Sequence, residues 1–179
     1  EVFCDEVGVP RANLVGELNQ GWTYAKSLLG HERFNAGKLG RSKRELRLLK
    51  QLASRQPAHG QPLRCDRRFA EKIAQAEVDL LALEYLTLRL ISNAASGRGV
   101  GAEASILKLR GTEIAQQLAA LLVDAIGPDA HAFARDDDEP GTPLPQALVR
   151  QYLNWRKLTI YGGSNEVQRN IIAKFALGL

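Results

Sequence analysis

The sequence contains no methionine, two cysteines and three histidines. Cys4 and Cys65 lie far apart and show no CxxC spacing, so neither a disulfide framework nor a thiolate metal site is written into the chain. Reduced thiols in a cytoplasmic protein are the expectation. His31, His59 and His131 show no HExxH or other ligand spacing, which argues against a metal centre. No apolar run approaches the ~20 residues a membrane span requires, so no membrane partner is expected. No charged-then-apolar leader opens the chain. It starts on Glu1 and has no methionine anywhere, so a piece of a longer protein is expected, with part of any site supplied from elsewhere.

What is present suits one globular domain: 179 residues, 45% apolar and 25% charged, with a net charge of +4. The run GRSKRELRLLK sets Lys43, Arg44, Arg47 and Lys50 at helical spacing. A solvated helix face is the first reading, with contact to an anionic cofactor or a nucleic acid as the weaker alternatives.

The opening EVFCDEVGVP alternates and then meets Gly-Val-Pro, which predicts a short remnant β-strand leaving into a loop. From Trp22 the period becomes helical. Trp22, Ala25, Leu29, Glu32, Ala36, Leu39 and Leu46 recur at three- and four-residue steps, predicting one first helix that stops at SRQPAHGQPL. A second helix is predicted from residue 66 to about 96 on Ile73, Ala76, Leu80, Leu83, Thr87 and Leu90. A third reaches about 126 on Leu107, Ile114, Leu118, Leu121 and Ala125. GPDAHAFARDDDEPGTPLP is a loop by composition, its acids a solvated surface. A fourth helix is predicted over 144–159. After Gly162 and Gly163 comes a short one with Ser164 or Asn165 as its cap, the second choice pairing with Gln168. Four long helices that each need to bury a stripe imply an all-α, antiparallel up-and-down four-helix bundle with a short fifth C-terminal helix. Residues 1–17 would be the end of a preceding β domain and linker, and 18–179 the helical domain.

Two features could carry chemistry. Glu32 sits within the apolar stripe, where lost hydration raises a carboxyl pKa. Such a group is either paired, with Arg33 or another helix, or poised as a base. The glycine pair before a helix N-terminus offers close backbone approach and free N–H donors to an anionic or carbonyl-bearing ligand, or else is a simple kink. GRGVGA lacks the strand that a dinucleotide loop requires and reads as an interhelix turn.

Three stretches, in order, resemble the C-terminal part of the acyl-CoA dehydrogenase family: VGELNQGWTYAKSLLGHER, ILKLRGTEIAQQLAALLVDAIG and, most specifically, YLNWRKLTIYGGSNEVQRNIIAKFALGL. The resemblance implies a reaction in which a glutamate takes the α-proton of an acyl-CoA thioester while the β-hydrogen leaves to FAD as hydride. Many members carry that glutamate directly after the tyrosine of the closing motif, where this chain has Gly162. An isovaleryl-type subset has Gly there and supplies Glu from an "ER" pair on the first helix, which implies Glu32 as the base. The resemblance places Arg33, Tyr161 and Gly162 beside the acyl-CoA, and Gly163, Ser164, Asn165 and Glu166 beside FAD. It implies electron-transfer flavoprotein as electron acceptor and a homo- or hetero-oligomer formed through the bundle. The family's RxxFG appears here as Gln56, His59 and Gly60, a following Gln as Arg67, and its QxxGGxG as Asp124 with Gly127 retained. These departures leave open a non-catalytic, FAD-poor assembly subunit. More distant options are an oxidase or a nucleic-acid-binding relative.

Overall fold

The computed structural model describes residues 2–58, 60–98, 101–131 and 144–179, with residues 29–36, 129 and 131 described by their backbone alone. His59 and residues 132–143 of the acidic loop lie outside the described residues.

The architecture is the expected all-α bundle, but its first rod is two helices rather than one. α1 (Gly21–Ala36) and α2 (Leu39–Arg55) meet at Gly37 and Lys38. Lys38 has φ 53°, in the left-handed region, so the ladder of α1 cannot run through it, and α2 restarts with the Ser42 N–H donating to the Lys38 carbonyl at 3.0 Å. The break resets the helical phase. The buried face of α2 is Ser42, Glu45, Leu46, Leu49 and Ala53, whereas Trp22 at the head of the predicted stripe is 71% exposed.

The remnant strand predicted at the N-terminus is absent. Residues 2–10 carry no ladder, since a lone extended segment has no edge to pair with, and a 3-10 turn (Arg11–Asn13) follows. The strands among the described residues are instead β1 (Pro57–Ala58) and β2 (Gln61–Pro62), an antiparallel pair in the register Pro57 with Pro62 and Ala58 with Gln61. They form where Pro57, Gly60 and Pro62 stop α2.

α3 (Arg67–Ala95) is bounded within a residue of expectation, because Asp66 caps it by accepting from the Phe69 N–H at 2.8 Å. Its inner stripe is Phe69, Ile73, Ala76, Leu80, Leu83 and Leu90. α4 (Glu103–Ile126) is the central helix. It is buried around most of its circumference and packs on α1, α2, α3 and both C-terminal helices. Small residues make that possible: a Cβ at Gly111 would overlap the backbone carbonyl of Gly37.

The fourth helix, α5 (Leu144–Asn154), ends earlier than predicted and tightens into a 3-10 turn (Trp155–Thr159). The Gln116 amide of α4 donates to the Trp155 carbonyl at 2.9 Å and the Arg156 carbonyl at 3.2 Å, so those carbonyls need no further helical turn. α6 (Asn165–Ile172) and a π turn (Ala173–Leu177) close the chain.

Most of the core lies between α2, α3 and α4, with Leu49, Leu83, Leu90, Leu107, Ile114, Leu118 and Leu122 almost fully enclosed. Each such side chain contributes about 2 kcal/mol of burial. A second, smaller cluster joins Ala115 and Ala119 of α4 to Trp155 and Leu158, and this cluster holds the C-terminal segment in place.

Candidate functional site

The segment between α5 and α6 takes its shape from two left-handed residues, Gly162 at φ 65° and Gly163 at φ 83°. A side chain at Gly162 would meet nothing but would be strained by its backbone angle. One at Gly163 would also strike the Gln168 amide. No acid stands in this turn. Ser164 is the cap of α6, its Oγ accepting from the Val167 N–H at 3.4 Å. Glu166 is exposed. The bond from its own backbone amide and that from the Ser164 hydroxyl hold its carboxyl below the usual range, with Arg169 and Lys108 adding positive field.

Asn165, the other cap candidate, faces the opposite way. It is only 4% exposed, and its Oδ1 accepts from Lys108 Nζ of α4 at 2.9 Å and Thr112 Oγ1 at 3.3 Å. Its side chain is therefore committed to the interior. Gln168 is buried beside it and donates to the Gly163 carbonyl at 3.5 Å. Of the four residues expected beside FAD, Gly163, Ser164 and Glu166 remain on the outer side of the turn.

Tyr161 lines a cleft of about 180 Å3 together with Lys38, Arg41, Asn154, Trp155, Lys157 and Leu158. The Arg41 guanidinium lies 4.1 Å over the Trp155 ring. Glu32 and Arg33 belong to α1, whose C-terminal end is pressed against α4 at Gly37, but their side chains lie outside the described residues.

Two buried charges were missed in the sequence. Glu45 is 4% exposed, and its Oε1 accepts from Arg41 Nε at 3.2 Å and Gln151 Nε2 at 2.9 Å, while Oε2 has no partner. Burial raises its pKa from the ordinary 4.5, opposed by Arg41 and Gln151. The signal was the spacing Ser42, Glu45, Leu49, visible only once the phase is restarted at Lys38. Lys108 is 3% exposed, and burial lowers its pKa from 10.5, opposed by Glu166.

At the 161–164 turn, Gly162 leaves open space on the outer side for a flat ligand face, while the Ser164 hydroxyl and the Glu166 amide are engaged by the Glu166 carboxyl and the Val167 N–H by Ser164 Oγ. The positions that the resemblance links to FAD elsewhere fit less well. Arg67 bonds Glu71 at 3.0 Å, and Asp124 lies 3.7 Å from Lys72. Among the described residues no group of three or more His, Cys, Asp or Glu could hold a metal ion. No helix among them is long and apolar enough to cross a membrane.

The sequence model of the family described as "Acyl-CoA dehydrogenase, C-terminal domain" matches residues 19–177. The chain is 33% identical over 186 residues to the acyl-CoA dehydrogenase IpdE1 of Mycobacterium tuberculosis, covering 100% of this chain and 43% of that protein. It is 31% identical over 181 residues to the acyl-CoA dehydrogenase FadE26 of the same organism, covering 99% and 44%. Among solved structures, the ChsE4-ChsE5 complex from M. tuberculosis shares 32% identity at a TM-score of 0.73, covering 96% of this chain and 44% of the matched one. The chain thus spans less than half the length of the relatives it matches.

Proposed function

This chain belongs to the acyl-CoA dehydrogenase family, through its C-terminal domain, and from that premise we propose that it is the helical part of an enzyme that desaturates an acyl-CoA thioester between its α and β carbons. Glu32 is the base. The observation that carries this reading is the acid-free turn at Gly162 and Gly163, set against a Glu-Arg pair on the helix that packs across α4. Abstraction of an α-proton needs a carboxylate whose affinity for a proton is raised, which a water-poor site closed by the rest of the enzyme would give Glu32. FAD, when bound, accepts the β-hydrogen as hydride. Gly163, Ser164 and Glu166 line its place, and Arg33, Tyr161 and Gly162 line that of the thioester. Residues 1–17 are the end of a β domain, and 18–179 the helical one.

The α3 surface supports oligomerisation through the bundle. Val78, Leu81, Tyr85, Leu88 and Ile91 repeat at three- and four-residue steps, and each is more than half exposed. Electron-transfer flavoprotein is the proposed acceptor.

In the full-length protein, adding the right acyl-CoA from a panel should bleach the oxidised flavin absorbance. Glu32→Gln should slow that bleaching about a thousandfold. Normal bleaching in the variant would remove Glu32 from the role. The second reading, an FAD-poor assembly subunit, is favoured by the engagement of Arg67 and Asp124 with other side chains. Stoichiometric FAD in the protein purified without a partner would exclude it.

A further inference from the structure

α6 is anchored to the centre of the bundle by a cation. Lys108 rises from the second turn of α4, is almost fully enclosed, and meets the acceptor of Asn165, the first residue of α6. Thr112, one turn further along α4, reaches the same oxygen at 3.3 Å and also bonds the Lys108 carbonyl at 2.8 Å. A buried ammonium is a costly way to fill space, and an apolar residue would pack at less expense. What the ammonium adds is direction. A hydrogen bond fixes the rotation of α6 about its axis, whereas apolar contact would tolerate a slide.

That rotation governs the turn before it. Asn165 faces inward, Ser164 next to it faces outward as the cap, and Gly163 and Gly162 precede them with no side chains of their own to set their place. Gln168, one turn along α6, holds the Gly163 carbonyl from the same buried side. The glycine turn is therefore held from its buried side by Gln168, and α6 is tied to α4 by the buried Lys108–Asn165 contact beside the more exposed Arg169–Glu113 pair at 3.1 Å.

We propose that Lys108 is a positioning residue for the glycine turn: through Asn165 it sets the rotation of α6 and so places Gly162, Gly163 and Ser164 against whatever occupies their outer side. Its importance for turnover rests on the function proposed above, but its effect on the turn does not.

The test uses the full-length protein and three variants. Lys108→Met should raise amide exchange at Val167 and Gln168, whose N–H groups bond Ser164, at least about tenfold over exchange at Leu80 and Leu83 in α3. The double variant Lys108→Met with Asn165→Leu replaces both partners by apolar groups and should melt close to wild type. It should nevertheless keep the faster local exchange and, with flavin content unchanged, a kcat about tenfold low. Asn165→Asp preserves the acceptor and should retain wild-type exchange at both amides. Recovery of both slow exchange and turnover in the double variant would reduce Lys108 to packing and overturn the proposal, as would lost protection in Asn165→Asp. If Glu32→Gln leaves bleaching intact while the exchange results hold, the reaction assignment fails and the positioning role stands.

Discussion

At the α2–α5 junction a buried carboxylate, Glu45, meets a guanidinium and an amide. At the α4–α6 junction a buried ammonium, Lys108, meets the neutral Asn165 Oδ1. The first is a charge pair whose cationic half reaches solvent: the Arg41 side chain is 42% exposed and rests on Trp155. Water and an aromatic face therefore share the cost of desolvation. Among the described residues the second has no opposite charge bonded to it, and the field of the exposed Glu166 favours its charge. The paired junction resists loss of any single partner better, because each charge has a second source of stabilisation. The unpaired one depends on a single acceptor.

Asn165→Leu should break the weaker side of that comparison hardest, costing about 3 kcal/mol in urea denaturation by leaving a buried ammonium without its acceptor. Arg41→Met attacks the paired junction and should cost about 2 kcal/mol, less because Arg41 is partly solvated and Gln151 still bonds Glu45. A cost for Arg41→Met above that of Asn165→Leu would reverse the ranking.

The pH dependence should separate the two junctions by sign. Lys108 has a lowered folded pKa, so the unfolded chain binds the extra proton and stability rises as pH climbs toward 10.5. Glu45 has a raised folded pKa, so its contribution is fully present below 4.5 and is lost as pH rises through the folded value. Stability curves of wild type minus Lys108→Met and wild type minus Glu45→Gln should therefore diverge at opposite ends of the scale, with opposite sign. The control is a charge pair kept in water. Lys50 bonds Glu77 at 2.6 Å between α2 and α3 with both side chains about half exposed, and Lys50→Met should cost less than about 0.5 kcal/mol.

Where capping and punctuation are local, the fold could be read from the chain. Asp66 marked the start of α3, the prolines around Gly60 marked the end of α2, and the two glycines with Ser164 marked the start of α6. The break at Lys38 could not, because Ala36, Leu39 and Leu46 keep helical spacing across it and the left-handed turn falls on a lysine. That one miss hid Glu45, which lies on the buried face only after the phase is restarted. Lys108 was hidden for a different reason. α4 is enclosed on nearly every side, so its period gives no polar face against which a buried cation would stand out. At the site, the turn and its cap were legible, while the inward turn of Asn165 depends on a residue 57 positions away.

The Gly37 backbone resting on Gly111 has a consequence for how tolerant the site is to change. α1 carries Glu32, and its depth in the bundle is set by an atom that residue 111 lacks. A single added methyl there would lift α1 as a rigid lever, with Glu32 five residues from the fulcrum. The reach of the proposed base is thus written partly into a residue that bears no functional group.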